Sequence, residues 1–194
     1  MAGFPSPFGG SDDEALFDDA DEFVPEHIPA PGEFLDGHDV LTGDDHVRFH
    51  ELTREVFEAR TVYDMTFNYN LARLNLDTRH RSAGYRYAES ADDDSVLRAE
   101  FTPTTPFCPQ THTLTIGSFR AWNGLSDRHD YDLVRVRADA MHHRSDAIND
   151  RLEELESQYL ETGTLETDGD DDAAGPLGTG QGYGAAGRTS DAPF

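Results

Sequence analysis

Lysine is missing from this sequence. All 15 basic residues are arginine, set against 39 acidic ones for a formal net charge of −24. Such a chain has no basic surface to offer a phosphate backbone, which argues against nucleic acid as a partner. Cysteine occurs once, at Cys108, so an internal disulfide framework is excluded. A lone thiol also fits a reducing cytoplasm. No apolar run approaches the roughly 18 residues needed to span a bilayer. The N-terminus shows no basic stretch followed by an apolar core, so no secretory signal is expected. These absences predict a cytoplasmic protein with no membrane partner. Hydrophobic residues make up only 36% of the chain, and mean hydropathy is −0.66. Both are low for a chain folded throughout, which predicts disorder in part of it.

The acidity has two readings. It could form an interaction surface for a basic partner, or it could be an adaptation to a salt-in, halophilic cytoplasm. In molar salt the Debye length is roughly 3 Å, so like charges scarcely repel. Carboxylates there hold water and ions at the surface, whereas the long apolar stem of lysine suits high salt poorly. The missing lysine favours the halophilic reading, and net charge then says little about partners.

Composition divides the chain into three parts. Residues 1–43 are rich in Gly, Pro, Asp and Glu, with scattered apolar residues such as Phe17, Phe23, Phe34 and Leu35. They carry no sustained period and read as a disordered acidic arm with at most one short docking segment. Residues 163–194 begin with an acidic run, Asp168 to Asp172, and continue Gly- and Ala-rich, which reads as a disordered tail. Residues 44–162 form the folded domain.

Within that domain Leu52, Val56, Ala59 and Tyr63 recur at helical spacing, with Asp44 or Asp45 as a cap. Ala72, Leu74 and Leu76 alternate with Arg73 and Asn75, which reads as a strand. Tyr85 and Tyr87 mark a second strand. Asp92 to Asp94 make a turn, and Leu97, Ala99 and Phe101 form a third strand paired with the second. A helix is predicted from Pro109 to about Asn123, because proline at a first helical position forgoes an N–H that would be unpaired anyway. A strand over Tyr131 to Ala138 and a final helix, capped by Ser145 and stopped by Gly163, complete the order. Helix, three strands, helix, strand, helix is an α/β (α+β) arrangement with helices packed on a small sheet.

The chemistry concentrates at Cys108. With Pro109 as the first helical residue, the sulfur would occupy the N-cap, where unpaired backbone N–H groups and the helix dipole favour thiolate over thiol. His112, one turn on, would act in the same direction if protonated. Thr104 and Thr105 could donate hydroxyls to the sulfur or to a ligand. A thiolate is both a nucleophile and a soft-metal ligand. Against this stand an inert cysteine acting as a small hydrophobe and an ordinary exposed His112. The neighbours His142 and His143 read as structural, since adjacent histidines rarely face one metal. A Cys108–His112 hydrolase is a further alternative, but the sequence nominates no third group to orient the histidine. No Walker loop, zinc-protease motif or dinucleotide fingerprint is present.

The segment Arg98-Ala-Glu-Phe-Thr-Pro-Thr-Thr-Pro-Phe-Cys108-Pro-Gln-Thr-His-Thr-Leu-Thr-Ile-Gly117 resembles the strand–loop–helix of the metal–sulfur cluster biosynthetic family. That family includes SufT-like and PaaD-like proteins and the eukaryotic MIP-type factor of cytosolic iron–sulfur assembly. The segment Met141 to Asp150 is similar to the family's later His-Ser and Ile-Asn pattern. Together the matches span roughly residues 47–161, in a chain whose composition is haloarchaeal-like. The resemblance implies a compact α/β domain and makes Cys108 the residue tied to iron–sulfur function, with Thr102 and Thr104 matching the loop threonines. Of the family's Asp-Pro-Glu motif only Asp64 remains, followed by Met65 and Thr66. Clusters are ordinarily held by four ligands, mostly thiolates. One cysteine cannot hold one alone, so the implied role is a non-catalytic, transient carrier or targeting adaptor for an iron–sulfur cluster or iron. The remaining ligands would come from a homodimer, an iron–sulfur assembly protein or an apo-client. A scaffold that keeps the fold without the chemistry is the remaining alternative.

Overall fold

The computed structural model describes residues 16–19 and 24–165. A four-stranded sheet carries the domain, in the order β1 (Asp39–Val40), β4 (Gly84–Ser90), β5 (Asp93–Thr102) and β6 (Leu133–Ala138). Helix α1 (Gly43–Arg60) follows β1, and a two-stranded ribbon of β2 (Tyr63–Asp64) and β3 (Tyr69–Asn70) follows α1. Helix α2 (Thr111–Asn123) connects β5 to β6, and α3 (Ser145–Thr162) closes the domain. β4 and β5 are antiparallel, as two strands joined by a tight turn must be, with Tyr87 opposite Ala99. β5 and β6 are parallel, with Phe101 opposite Ala138, and α2 supplies the crossover that parallel pairing requires. The expected α+β class, with helices on a small sheet, is what the chain adopts.

The core lies between the sheet and the helices. Tyr85, Tyr87, Leu97, Ala99, Phe101, Val134 and Val136 face inward from the strands. Phe49, Val56 and Phe57 of α1, Phe119 and Trp122 of α2, and Ile148, Leu152 and Leu155 of α3 meet them. Trp122 is fully buried among Phe57, Tyr85 and Tyr87, with ring centroids 4.8–6.3 Å apart. Rings at these separations add to area burial through edge-to-face contact.

Several local expectations are corrected. Residues 71–76 form a 3-10 helix, not a strand. The alternation was misleading because Asn75 is buried along with Leu74 and Leu76, and the Asn70 side chain caps the turn by accepting from Ala72 N. α1 has at its N-cap position Thr42, which makes no side-chain capping bond, and has Asp44 and Asp45 inside its first turn. It ends before Tyr63 because Thr61 adopts the left-handed conformation, and Ala59 is exposed.

The arm expected over 1–43 carries structure from residue 24 onward. Leu35 is buried, and β1 pairs with β4. The reason lies in Glu100, buried on the sheet face away from α2. Its carboxylate accepts from Gly32 N at 2.5 Å and Phe34 N at 3.1 Å, tying the strap down. Residues 16–19 also dock, with Phe17 bridging to Asp77 and lying edge-on to Tyr69. Phe23 and the acidic run 168–172 lie outside the described residues.

Three asparagines finish the sheet. Asn75 donates to Tyr85 O and accepts from Tyr85 N, both at 2.7 Å. Asn123 makes the same pair of bonds with Val134, and Asn149 with Ala138. Each side-chain amide stands in for a neighbouring strand, which satisfies buried backbone groups and blocks strand addition at these positions.

Candidate functional site

β5 and β6 end side by side, and the segments that follow them stay in contact, with His143 N donating to Pro106 O at 3.0 Å. Asp139 N bonds back to Phe101 O at 2.9 Å, so the last rung of the pair sits directly beneath both loops. The carboxyl ends of parallel strands are the end at which open α/β sheets place ligands. Cys108 lies there, in the loop between β5 and α2.

The loop is two successive turns. Cys108 N donates to Thr105 O and Thr111 N donates to Cys108 O, each at 3.3 Å. α2 therefore starts at Thr111, with Gln110 at its N-cap. The expected N-cap position for Cys108 is corrected: the sulfur precedes the cap by two residues, because residues 108–111 form a turn of their own. Cys108 is free and half-buried.

Two other segments hold this loop. His142 is buried; its Nδ1 accepts from Arg144 N at 3.2 Å, which leaves Nε2–H to donate to Cys108 O at 3.1 Å. His143 donates from Nδ1 to Pro106 O at 2.8 Å, and its ring packs against Phe107 at 5.0 Å. In that tautomer the His143 Nε2 carries the lone pair, on an exposed side chain. From the other side Gln110 bridges to the β2–β3 ribbon, accepting from Met65 N at 3.0 Å and donating to Thr66 Oγ1. Asp64 is buried at the base of that ribbon, where Oδ1 accepts from Thr66 N and Phe67 N at 2.7 and 3.1 Å.

The residues nominated from sequence thus fall into distinct places. Cys108, Thr104 and Thr105 share the loop, with Thr102 at the end of β5. His112 is exposed on the first turn of α2. Asp64 is joined to the loop only through Gln110, and its carboxylate is occupied in organising the ribbon. The structural reading of His142 fits its contacts. What sequence reasoning missed is that both histidines hold the Cys108 loop. Adjacency to the end of β6 was the available signal, but without the parallel register nothing set residue 142 beside residue 108. Gln110 and the asparagine plugs were missed because their partners, too, are set beside them only by the tertiary fold.

Among the described residues, no group of three or more His, Cys, Asp or Glu side chains is arranged to hold a metal ion. The donor set at Cys108 is one thiol with a neighbouring imidazole, too few for a resident cluster. A groove of about 820 Å³ beside α1, lined by Glu51, Glu58, Tyr63 and Arg73 among others, does not reach Cys108. A second of about 470 Å³, on the sheet face carrying Arg98 and Arg137, does not reach it either. No helix among the described residues is long and apolar enough to cross a membrane.

A family model described as "Domain of unknown function (DUF7998)" matches residues 15–166. No curated protein and no solved structure matches the chain.

Proposed function

We propose, for a chain that belongs to the DUF7998 family, a role as an iron–sulfur cluster assembly or targeting factor that acts through Cys108. The observation that carries this reading is the position of the one thiol: half-buried, in a doubly turned loop beyond the carboxyl ends of the parallel pair β5 and β6. The similarity of the Arg98–Gly117 segment to the metal–sulfur cluster biosynthetic family supports it.

The cluster is cargo, not a resident cofactor. Cys108 loses its proton to solvent, and its thiolate displaces one thiolate ligand of the donor from the incoming cluster, the released ligand taking up a proton. A recipient thiolate later replaces it, so one sulfur ligand is exchanged for another and the oxidation state of the cargo is unchanged. The remaining ligands come from outside the monomer, from an assembly protein, an apo-client or a second copy. The hydrogen bonds from His142 and His143 fix the loop backbone so that the sulfur is presented in one position. The lysine-free acidic composition supports a molar-salt cytoplasm as the setting.

The test is replacement of Cys108 by serine in cells, followed by measurement of cluster occupancy in iron–sulfur enzymes. The reading predicts reduced occupancy at unchanged level of the variant protein. Unchanged occupancy overturns it.

A further inference from the structure

The distribution of acidic residues carries a second message. Acids make up 39 of 194 residues, yet none occurs between Glu100 and Asp127, between Asp64 and Asp77, or between Asp139 and Asp146. The segments that meet around Cys108 are drawn from these three stretches. They are joined by Gln110 to Met65 and Thr66, by His142 to Cys108, and by His143 to Pro106. The carboxylates that border these segments are engaged locally: Asp64 is buried and accepts from Thr66 N and Phe67 N, and Asp139 accepts from Met141 N.

The same face collects exposed apolar side chains. Four large hydrophobics are exposed among the described residues: Met65 at 78%, Phe107 at 71%, Met141 at 40% and Leu160 at 61%. Three of them, Met65, Phe107 and Met141, belong to the segments joined around Cys108. Leu160 stands apart, with Glu161 beside it on α3. Elsewhere the surface is densely acidic. Glu51, Glu55 and Glu58 are exposed along α1, Asp150, Glu153 and Glu154 along α3, and Asp92 to Asp94 at the β4–β5 turn.

We infer that this acid-poor face is the interface with a second copy of this chain, related by a two-fold axis that brings the two Cys108 loops together. Charge selects the occupant. Screening in molar salt removes repulsion at a distance but not the cost of desolvating carboxylates at contact, so two copies of this acidic chain approach most readily through the face that carries fewest of them. The asparagine plugs direct association away from the sheet edge, since Asn123 and Asn149 occupy the Val134 and Ala138 positions of β6. A two-fold contact sets each patch against its own copy, so Phe107 and Met141 find apolar partners. The segments involved amount to on the order of 20 residues, the number per side in a standard interface. The inference deepens the proposed function: a site with one thiol per chain gains its second from the partner copy.

Sedimentation in molar potassium chloride tests it, on the full chain. The wild type is expected to run as a dimer that dissociates on dilution, and a short bis-maleimide should link it covalently through the two Cys108 sulfurs. Phe107→Asp, which sets two carboxylates face to face, is expected to weaken association at least tenfold and abolish the cross-link. Met141→Glu repeats the test at a second position, and Leu160→Asp should leave the dimer intact. Circular dichroism confirms that each variant is folded. A wild type that stays monomeric at all concentrations overturns the inference. So does a dimer that survives both Phe107→Asp and Met141→Glu. The two proposals fail separately: a dimer that takes up no cluster removes the cargo reading alone, and a monomer that takes one up removes the interface alone.

Discussion

The Asn123 side chain pairs with Val134 as a strand would, donating from Nδ2 to Val134 O and accepting Val134 N at Oδ1, both at 2.9 Å. Asn123 is buried at the end of α2, and its Nδ2 also donates to Phe119 O. Replacing it with leucine leaves a buried backbone donor and acceptor unpaired. That costs about 2–6 kcal/mol at about 1–3 kcal/mol per orphaned group. Chemical denaturation of Asn123→Leu measures it, and a loss below about 0.5 kcal/mol would show that water fills the gap.

Gly84 guards the equivalent plug at Asn75. Its φ is +115°, and a Cβ there would overlap the Asn75 side chain that bonds Tyr85. Gly84→Ala therefore combines backbone strain with loss of the plug, and destabilises by about 2 kcal/mol or more. Thermal melts of Gly84→Ala beside Gly37→Ala check the mechanism. Gly37 is also at positive φ but has open space around its missing Cβ, so it should lose less.

Stability should fall in mild acid. Burial, then the neighbouring His50 and Arg86, lower the His46 pKa from 6.5 to about 3. Burial, partly opposed by the bond from Nε2–H to Ala72 O and reinforced by Arg54, lowers that of His50 to about 4. Below pH 6.5 the unfolded chain binds protons at both rings while the folded chain does not. Stability therefore decreases from about pH 6.5 down to the folded values and then levels off. Unfolding free energy measured between pH 7 and 4 should show this slope, and His46→Phe should reduce it. A flat profile for the wild type would contradict the burial of the pair.

His142 restrains the thiol loop through the Cys108 carbonyl. His142→Ala removes that part-buried bond, at a cost of about 0.5–1.5 kcal/mol, and frees the turn. The rate of Cys108 alkylation by iodoacetamide is expected to rise relative to the wild type at the same pH. An unchanged rate would show that the second turn, closed by Thr111 N, holds the loop by itself.

These relationships also show which parts of the fold were legible from sequence. Strands with true alternation, such as Leu97, Ala99 and Phe101, were readable, and so was α3, whose stripe Ile148, Leu152 and Leu155 is buried as its spacing implied. The failures share a cause: polar side chains doing backbone work. Asn75 read as the outward member of a strand because a buried asparagine looks no different from an exposed one until its partner, Tyr85, is in place. Glu100 alternates with the core residues Ala99 and Phe101 of β5, which gives no sign that it orders the Gly32–Leu35 strap within the expected arm. Cys108 was legible as a residue and as part of a loop. Its neighbours His142 and His143 were not, because their proximity follows from the parallel register of β5 and β6, a long-range property that no local pattern carries.

The central claim is that Cys108 receives an iron–sulfur cluster. Anaerobic incubation of the full chain with iron and sulfide, in molar salt, followed by gel filtration and absorption spectroscopy, tests it most directly. The wild type is expected to retain iron, sulfide and visible charge-transfer absorption, and Cys108→Ser to retain none. Equal retention by the serine variant, or no retention by the wild type, would contradict the claim.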